Sequence, residues 1–321
     1  MYLYVYDVNS GKFEMFNDSG QVSKEGRQFS TYAETSEAFD DKINTLCGSI
    51  KHEFWMFSEE PDKMPIFMMA VQNAIDQFSY DYDLKLKYIT KITFIQHQDW
   101  WYKLEPISEN DINFYLPLLV LELSLYPKNF FQKIKLKTIV LAHTTIFHCD
   151  KYEQYRAGLP DYEEDSLSLV FSCKERSIKY IRNVIHHELF HYFYFMCVGP
   201  FENRDDLWEM FNPKGFEYSL KSEVWSQQDI FTGDYQDYNS FVSYFSKTKL
   251  EEDKAEVFSY MITSGNDIKD LLKREGVIGK YLYIRQLMEK FDEKEFKQKT
   301  GDFWNRVIKF KKEICDKYYF V

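Results

Sequence analysis

Ile185-His186-His187-Glu188-Leu189-Phe190-His191 is the stretch whose spacing governs the reading of everything around it. Side chains four residues apart stack on one face of an α-helix, so a helix here sets the imidazoles of His187 and His191 side by side and carries Glu188 along their flank. Two imidazoles arranged this way can grip a zinc ion. Zinc so held acidifies a bound water, and a carboxylate beside it can take up the proton. The flanks predict the helix: residues 177–196 contain no Gly or Pro and place apolar side chains on nearly every face, the pattern of a helix buried all round. Polar groups inside such a helix need partners, because an unpaired one costs about 1–3 kcal/mol. A metal would satisfy all three; the alternative is a pair of core histidines hydrogen-bonded to neighbours. His186 points roughly 100° away from His187 around the helix and reads as a core residue or as support for the ligands.

A catalytic zinc usually takes three protein ligands and keeps one position open. The third is expected in Glu251-Glu252-Asp253-Lys254-Ala255-Glu256-Val257-Phe258, which has no helix breaker and places Ala255, Phe258 and Met261 at helical spacing. Glu252 and Glu256 share a face there. One of these carboxylates can bind the metal while the other hydrogen-bonds the free ring nitrogen of a ligand histidine. Glu251 and Asp253 read as solvated acids of a helix first turn.

The pattern H-E-x-x-H followed at a distance by E-x-x-A-E-x-F resembles the glutamate-type zincins, or gluzincins, and in particular the branch that includes anthrax lethal factor and uncharacterised bacterial zinc-binding metallopeptidases. Tyr126-Pro127-Lys128-Asn129-Phe130-Phe131, Asn212-Pro213-Lys214-Gly215-Phe216-Glu217-Tyr218 and Phe241-Val242-Ser243 are similar to segments of that branch. The likeness runs from about Asp111 to Met261. It implies an α+β, zincin-like catalytic domain: a mixed sheet with an edge strand, the H-E-x-x-H helix, and a second helix carrying the third ligand. It also implies Zn2+ held by His187, His191 and Glu252, Glu188 as general base, and Glu256 as partner of a ligand histidine. One departure matters. The branch tends to carry an oxyanion-stabilising tyrosine seven residues before the third ligand, and here that place is Phe245. Tyr244, one residue away, and Tyr218 are the substitute donors. Loss of one such donor typically costs a few kcal/mol of transition-state stabilisation.

Composition bounds the remaining choices. The 321 residues are 45% hydrophobic, enough for one sizeable domain and an accessory one, and the 29 Phe and 25 Tyr read first as core filling. A net charge of −11 without a basic stripe argues against nucleic acid as a partner. The lysines near Lys309, Lys311 and Lys312 alternate with acids and read as a solvated helix face. The N-terminus lacks the features of a secretory signal, and the apolar run Ile112–Tyr126 is too short to span a bilayer. A cytoplasmic location is therefore expected, with export by a route needing no signal as the alternative. The five cysteines, Cys47, Cys149, Cys173, Cys197 and Cys315, are odd in number, lack a C-x-x-C and read as free thiols.

Along the chain, residues 2–16 alternate about Asn9-Ser10-Gly11 as a β-hairpin, and Asn17 to Glu37 reads as loop. A helix is expected near Met64–Phe78, a strand near Tyr88–Gln96, a helix over Asp111–Leu125 and a strand over Ile134–Ala142. Gly158-Leu159-Pro160-Asp161 reads as a turn-rich loop. Ser166–Ser172 alternates as a half-buried strand, similar to the edge on which zincins lay substrate. Val198–Ser240 is a long connection, and two helices, Asp267–Phe291 and Phe303–Tyr318, close the chain. The domain expectation is a 1–105 accessory α/β region of unassigned role and a 106–321 catalytic domain. His52, His97, His143 and His148 have no partner at ligand spacing.

These readings converge on a zinc metalloendopeptidase with a polypeptide in extended conformation as substrate. Two alternatives remain open: a weakly active or inactive zincin-fold protein that binds peptide or protein, and a toxin-like protease with one protein substrate. Oligomeric state has no sequence signal.

Overall fold

The computed structural model describes residues 2–7, 12–17, 52–57, 75–149, 152–171, 178–200, 204–218, 240–263, 273–297 and 303–307. The turn at Asn9-Ser10-Gly11, residues 18–37, the start of the helix expected from Met64, residues 219–239, Ser264-Gly265-Asn266 and everything after 307 lie outside them. The chain forms two compact units, one of residues 1–157 and 163–175, the other of residues 158–162 and 176–321.

In the first unit, β1 (Tyr2–Asp7) pairs antiparallel with β2 (Lys12–Asn17), as the alternation predicts, and on its other side with β3 (His52–Phe57). Helix α1 (75–82) leads into β4 (Lys85–Tyr88), β5 (Thr93–Gln96) and β6 (Trp100–Glu105). The single strand expected over 88–96 is thus two short ones in different sheets, separated by the bend at 90–91. Helix α2 (Glu109–Leu123) starts at Ser108, whose hydroxyl accepts the Asp111 N–H, the side-chain cap that satisfies an otherwise orphaned donor. After α3 (Phe130–Lys133) come β7 (Thr138–Ala142), β8 (Thr144–Cys149) and β9 (Tyr152–Arg156). Beyond β10 (Gly158–Asp161), which belongs to the second unit, β11 (Ser166–Val170) returns to the first.

Strands β4, β7 and β11 form a parallel ladder, with Thr138 level with both Lys85 and Ser166. All five residues of β11 are buried. That corrects the half-buried alternation expected for Ser166–Ser172: near-continuous burial is what a parallel strand covered on both faces has. Strands β5, β6, β8 and β9 form an antiparallel sheet in that order. Architecture is α+β.

The second unit holds the H-E-x-x-H segment on α4 (Ile178–Cys197), with no Gly or Pro in its 20 residues. Ile181, Ile185, Leu189, Phe190, Tyr192 and Phe193 are each no more than 2% exposed, and burying a side chain of this size contributes roughly 1.5–3 kcal/mol. Short α5 (Asp206–Glu209) is capped by Asp205, which accepts the Trp208 N–H. A 3₁₀ turn over Phe245–Lys247 precedes α6 (Leu250–Thr263), and α7 (Glu275–Phe291), α8 (Glu293–Phe296) and α9 (303–307) follow. Helix α6 packs along α4, with the Phe190 and Phe258 rings 5.0 Å apart. Contrary to the turn expected at Gly158–Asp161, those residues are the strand β10, which packs on α4. Leu159 and Asp161 are buried there, and burial overrides the turn preference of Gly, Pro and Asp. Among the described residues no helix is long and apolar enough to cross a membrane.

Candidate metal centre

Helical spacing and helix packing together build the site. On α4 the Nε2 atoms of His187 and His191 come within 3.0 Å of each other, the consequence of four-residue spacing. The third corner arrives from α6, where Glu252 Oε2 lies 2.9 Å from His187 Nε2 and 3.3 Å from His191 Nε2. Four-coordinate ligands about 2.0–2.2 Å from a zinc stand roughly 3.3–3.6 Å apart, so this triangle is close to the size that zinc spans and somewhat tighter. Among the described residues, His187, His191 and Glu252 are the one group of three such side chains close enough to hold an ion.

Glu256, one turn further along α6, takes the other ring nitrogen of His187, with Oε1 2.9 Å from Nδ1. An imidazole whose Nδ1–H donates to a carboxylate presents Nε2 as the ligand atom. Spacing alone leaves the roles of Glu252 and Glu256 open and the resemblance implies Glu252 as ligand and Glu256 as partner; the geometry puts Glu252 at both Nε2 atoms and Glu256 at Nδ1. His187 and Glu256 are 8% and 5% exposed.

Burial opposes a charged ring, yet the hydrogen bonds and charges of Glu252 and Glu256 outweigh it and keep His187 well above the ordinary imidazole range. Burial likewise pushes Glu252 up, and the charges and hydrogen bonds of His191 and His187 outweigh it, holding Glu252 well below the usual carboxylate range. A group that prefers to be a carboxylate beside a ring that welcomes a cation makes a donor set suited to a divalent ion.

Glu188 is half-buried on the same helix. Its side chain lies against Gly158 of β10, a neighbour that motif spacing gives no hint of. Tyr162, just beyond β10, stacks on Phe195 at 3.8 Å between ring centroids and sits 5.3 Å from Tyr192. Its hydroxyl points toward the His191 carbonyl, 3.5 Å away. Burial, with Glu188, Tyr192 and Glu251 nearby, pushes that phenol well up, so it stays a neutral donor.

Phe245 faces the site, its ring 5.9 Å from the His187 ring. Tyr244 opens the 3₁₀ turn, with Lys247 Nζ 5.4 Å from its ring centroid. Tyr218 is committed elsewhere: its hydroxyl donates to Asp253 Oδ2 at 2.8 Å and accepts from Asn212. Burial and the charge of Asp253 push that phenol far up.

Asp253 itself is the clearest departure from the sequence reading. Expected in solvent, it is fully buried and takes hydrogen bonds from Lys280 Nζ (2.6 Å), Trp208 Nε1 (2.8 Å) and Tyr218. Lys254, also buried, donates to Asp205 at 2.7 Å and to the Tyr194 hydroxyl at 3.0 Å, and the Tyr283 hydroxyl adds a 2.7 Å bond to Asp205. Glu251, also expected in solvent, is half-buried, its carboxylate 3.3 Å from Lys249 Nζ. A signal for Lys280 exists in the sequence: it falls on the stripe Gly276, Val277, Lys280, Ile284, Met288 that α7 buries, and a lysine on an apolar stripe demands an anion.

His97 stacks on Trp100 and lies 3.2 Å from Glu163, and His148 lies 3.6 Å from Glu153. His186 is wholly buried. Cys149 and Cys197 are free thiols; the other three cysteines fall outside the described residues.

No protein-family model matches the sequence, and no curated protein matches it. Among solved structures, the chain is similar to a crystal structure from Bacteroides caccae ATCC 43185 described as a putative zinc-binding metallo-peptidase, with 14% sequence identity and a TM-score of 0.47 over 80% of this chain and 96% of that one.

Proposed function

We propose that the protein is a zinc-dependent metalloendopeptidase of the gluzincin type, with His187, His191 and Glu252 holding the metal and Glu188 as general base. One observation carries the reading: the convergence of two imidazole nitrogens and a carboxylate oxygen to within 3.3 Å of one another, with Glu256 on the far nitrogen of His187. The donors fit zinc, which favours imidazole and carboxylate ligands and in catalytic sites takes three of them. When bound there, zinc supplies a Lewis acid that makes water acidic near neutral pH and polarises a carbonyl.

The chain's own groups do the rest. Glu188 accepts a proton from the attacking water and returns it to the leaving nitrogen, the role of a carboxylate carried on the ligand helix beside the two histidines. Glu256 fixes the His187 tautomer and ring orientation through Nδ1. Tyr244 is the hydroxyl proposed to steady the developing oxyanion. A polypeptide in extended conformation is the proposed substrate. Phe245 beside His187 favours a second reading, a zincin-fold protein that binds peptide and cleaves it slowly, because a phenyl ring donates no hydrogen bond to an oxyanion.

The test is metal analysis of the purified protein paired with digestion of a peptide library. Stoichiometric zinc is expected, lost in Glu252→Ala and retained in Glu188→Ala, with Glu188→Ala slower by about 10²–10⁴-fold. Full zinc retention in Glu252→Ala removes that ligand, and unchanged cleavage by Glu188→Ala removes the general base. Stoichiometric zinc without cleavage of any peptide selects the second reading.

A further inference from the structure

We propose that Gly158 is a positioning residue for Glu188: the missing side chain on β10 leaves the slot in which the Glu188 side chain lies. The proposal rests on the role given to Glu188 above.

A Cβ added at Gly158 would fall onto Glu188 Cγ, 2.7 Å from its carboxyl carbon and 3.1 Å from its Cβ. Real Cβ atoms essentially never approach other heavy atoms so closely. Conformation is not the reason for the glycine. Its φ lies outside the positive range in which L side chains are strained, and the residue sits inside a regular strand. Space is the reason. At position 158 any other residue has to move either β10 or the glutamate.

The strand is the harder of the two to move. Leu159 and Asp161 are buried beside Gly158, and the segment ends in Tyr162, stacked on Phe195 and packed near Tyr192 of α4. Retreat of β10 would open those contacts and leave a void under a close-packed layer. Glu188, by contrast, is half-buried and has rotamers to choose from. A side chain at 158 therefore swings the carboxylate away, while His187, His191 and Glu252, none of which supplies the three atoms nearest to that added Cβ, stay where they are. A general base has to lie within hydrogen-bond reach of its proton, and displacement by about 1 Å can lower a rate 100-fold.

The experiment uses the full chain loaded with zinc. Gly158→Ala is expected to keep stoichiometric zinc and substrate KM while kcat falls roughly 100-fold. The decisive measurement needs no activity: unfolding midpoints of wild type, Gly158→Ala, Glu188→Ala and the double variant. Truncating Glu188 removes the two closest atoms, so Gly158→Ala should lower the midpoint in the wild-type background and leave it nearly unchanged in Glu188→Ala. If Gly158→Ala fails to fold and the double variant folds, the slot is upheld. An equal fall in both backgrounds overturns the proposal, as does a Gly158→Ala enzyme with wild-type kcat, or one whose activity and zinc content fall together. Wild type that binds no zinc would sink the peptidase reading by itself, and the four midpoints would still decide whether Gly158 holds Glu188.

Discussion

Helix α6 presents two buried charged clusters on different faces, and they are neutralised in different ways. Toward α4, Glu252 and Glu256 meet His187 and His191; toward α5 and α7, Asp253 meets Lys280 and Lys254 meets Asp205. The second cluster is balanced in charge, two acids against two lysines, with Trp208 and Tyr218 adding hydrogen bonds to Asp253 Oδ2, Tyr194 one to Lys254 and Tyr283 one to Asp205, while Asp253 Oδ1 is left without a partner. In the first, two carboxylates share one proton-hungry imidazole and a second ring, so the positive charge has to come from outside as protons or a metal ion. The contrast separates a cluster that holds the helix from one that holds a ligand. It also gives α6 one job done by two means: Asp253 and Lys254 fix the register that sets Glu252 and Glu256 against the histidines.

The largest effect expected from perturbing this comparison is on the structural side. Lys280 is fully buried, and Lys280→Met leaves the Asp253 charge uncompensated, a loss of about 3–5 kcal/mol of stability measured by urea denaturation. Because this cluster supplies its own cations, the loss should be the same with zinc bound and after chelation. A loss that disappears when zinc is removed would mean that the two clusters are not separate. Adding Asp253→Leu to Lys280→Met should recover part of the loss, with a residue of about 1–3 kcal/mol for the Trp208 indole N–H left without its acceptor.

How much of this was legible in the sequence follows the same division. His187, Glu188 and His191 were readable because a helix turns sequence spacing directly into a shared face, and Glu252 and Glu256 because four-residue spacing repeated on a second helix. Asp253 was misread as solvated: a first-turn acid looks the same in sequence whether it meets water or a lysine 27 positions away. Gly158 and Tyr162 were missed for a related reason. Their roles come from β10 packing on α4, a long-range contact that leaves no periodicity, while the local Gly-Leu-Pro-Asp composition pointed to a turn. The parallel ladder of β4, β7 and β11 was also only half legible, since Ser166 and Ser168, small polar residues buried between β-branched and leucine neighbours, imitate the outward face of an exposed strand.

On the ligand side, Glu256→Gln keeps a hydrogen-bond acceptor for His187 Nδ1–H and removes the charge. Outer partners of this type typically change metal affinity 10–100-fold, so zinc binding measured by chelator competition should weaken by about that factor while the urea midpoint of the zinc-free protein moves little. A larger drop in zinc-free stability than in affinity would place Glu256 with Asp253, among the residues that hold the helix.

The smallest effect is the most diagnostic, because it reads how far Glu252 and Glu256 favour a charged His187 ring. His187 is held above the ordinary value of 6.5 in the folded, zinc-free protein by Glu252 and Glu256. A raised folded pKa means that its contribution to the zinc-free fold is fully present below the unfolded imidazole value and disappears as pH rises through the folded one. Zinc needs the Nε2 lone pair and so expels a proton. Between pH 6.5 and the raised value, where a free imidazole has already lost its proton, zinc affinity should therefore keep climbing, by at most about tenfold per pH unit, while the stability of the chelated protein declines. Glu256→Gln removes one of the two charges that raise His187, so in that variant the climb should end at lower pH. Affinity that levels off at 6.5 in wild type and variant alike would mean that the two carboxylates do not charge the ring, and the distinction between the two faces of α6 would then rest on the lysines alone.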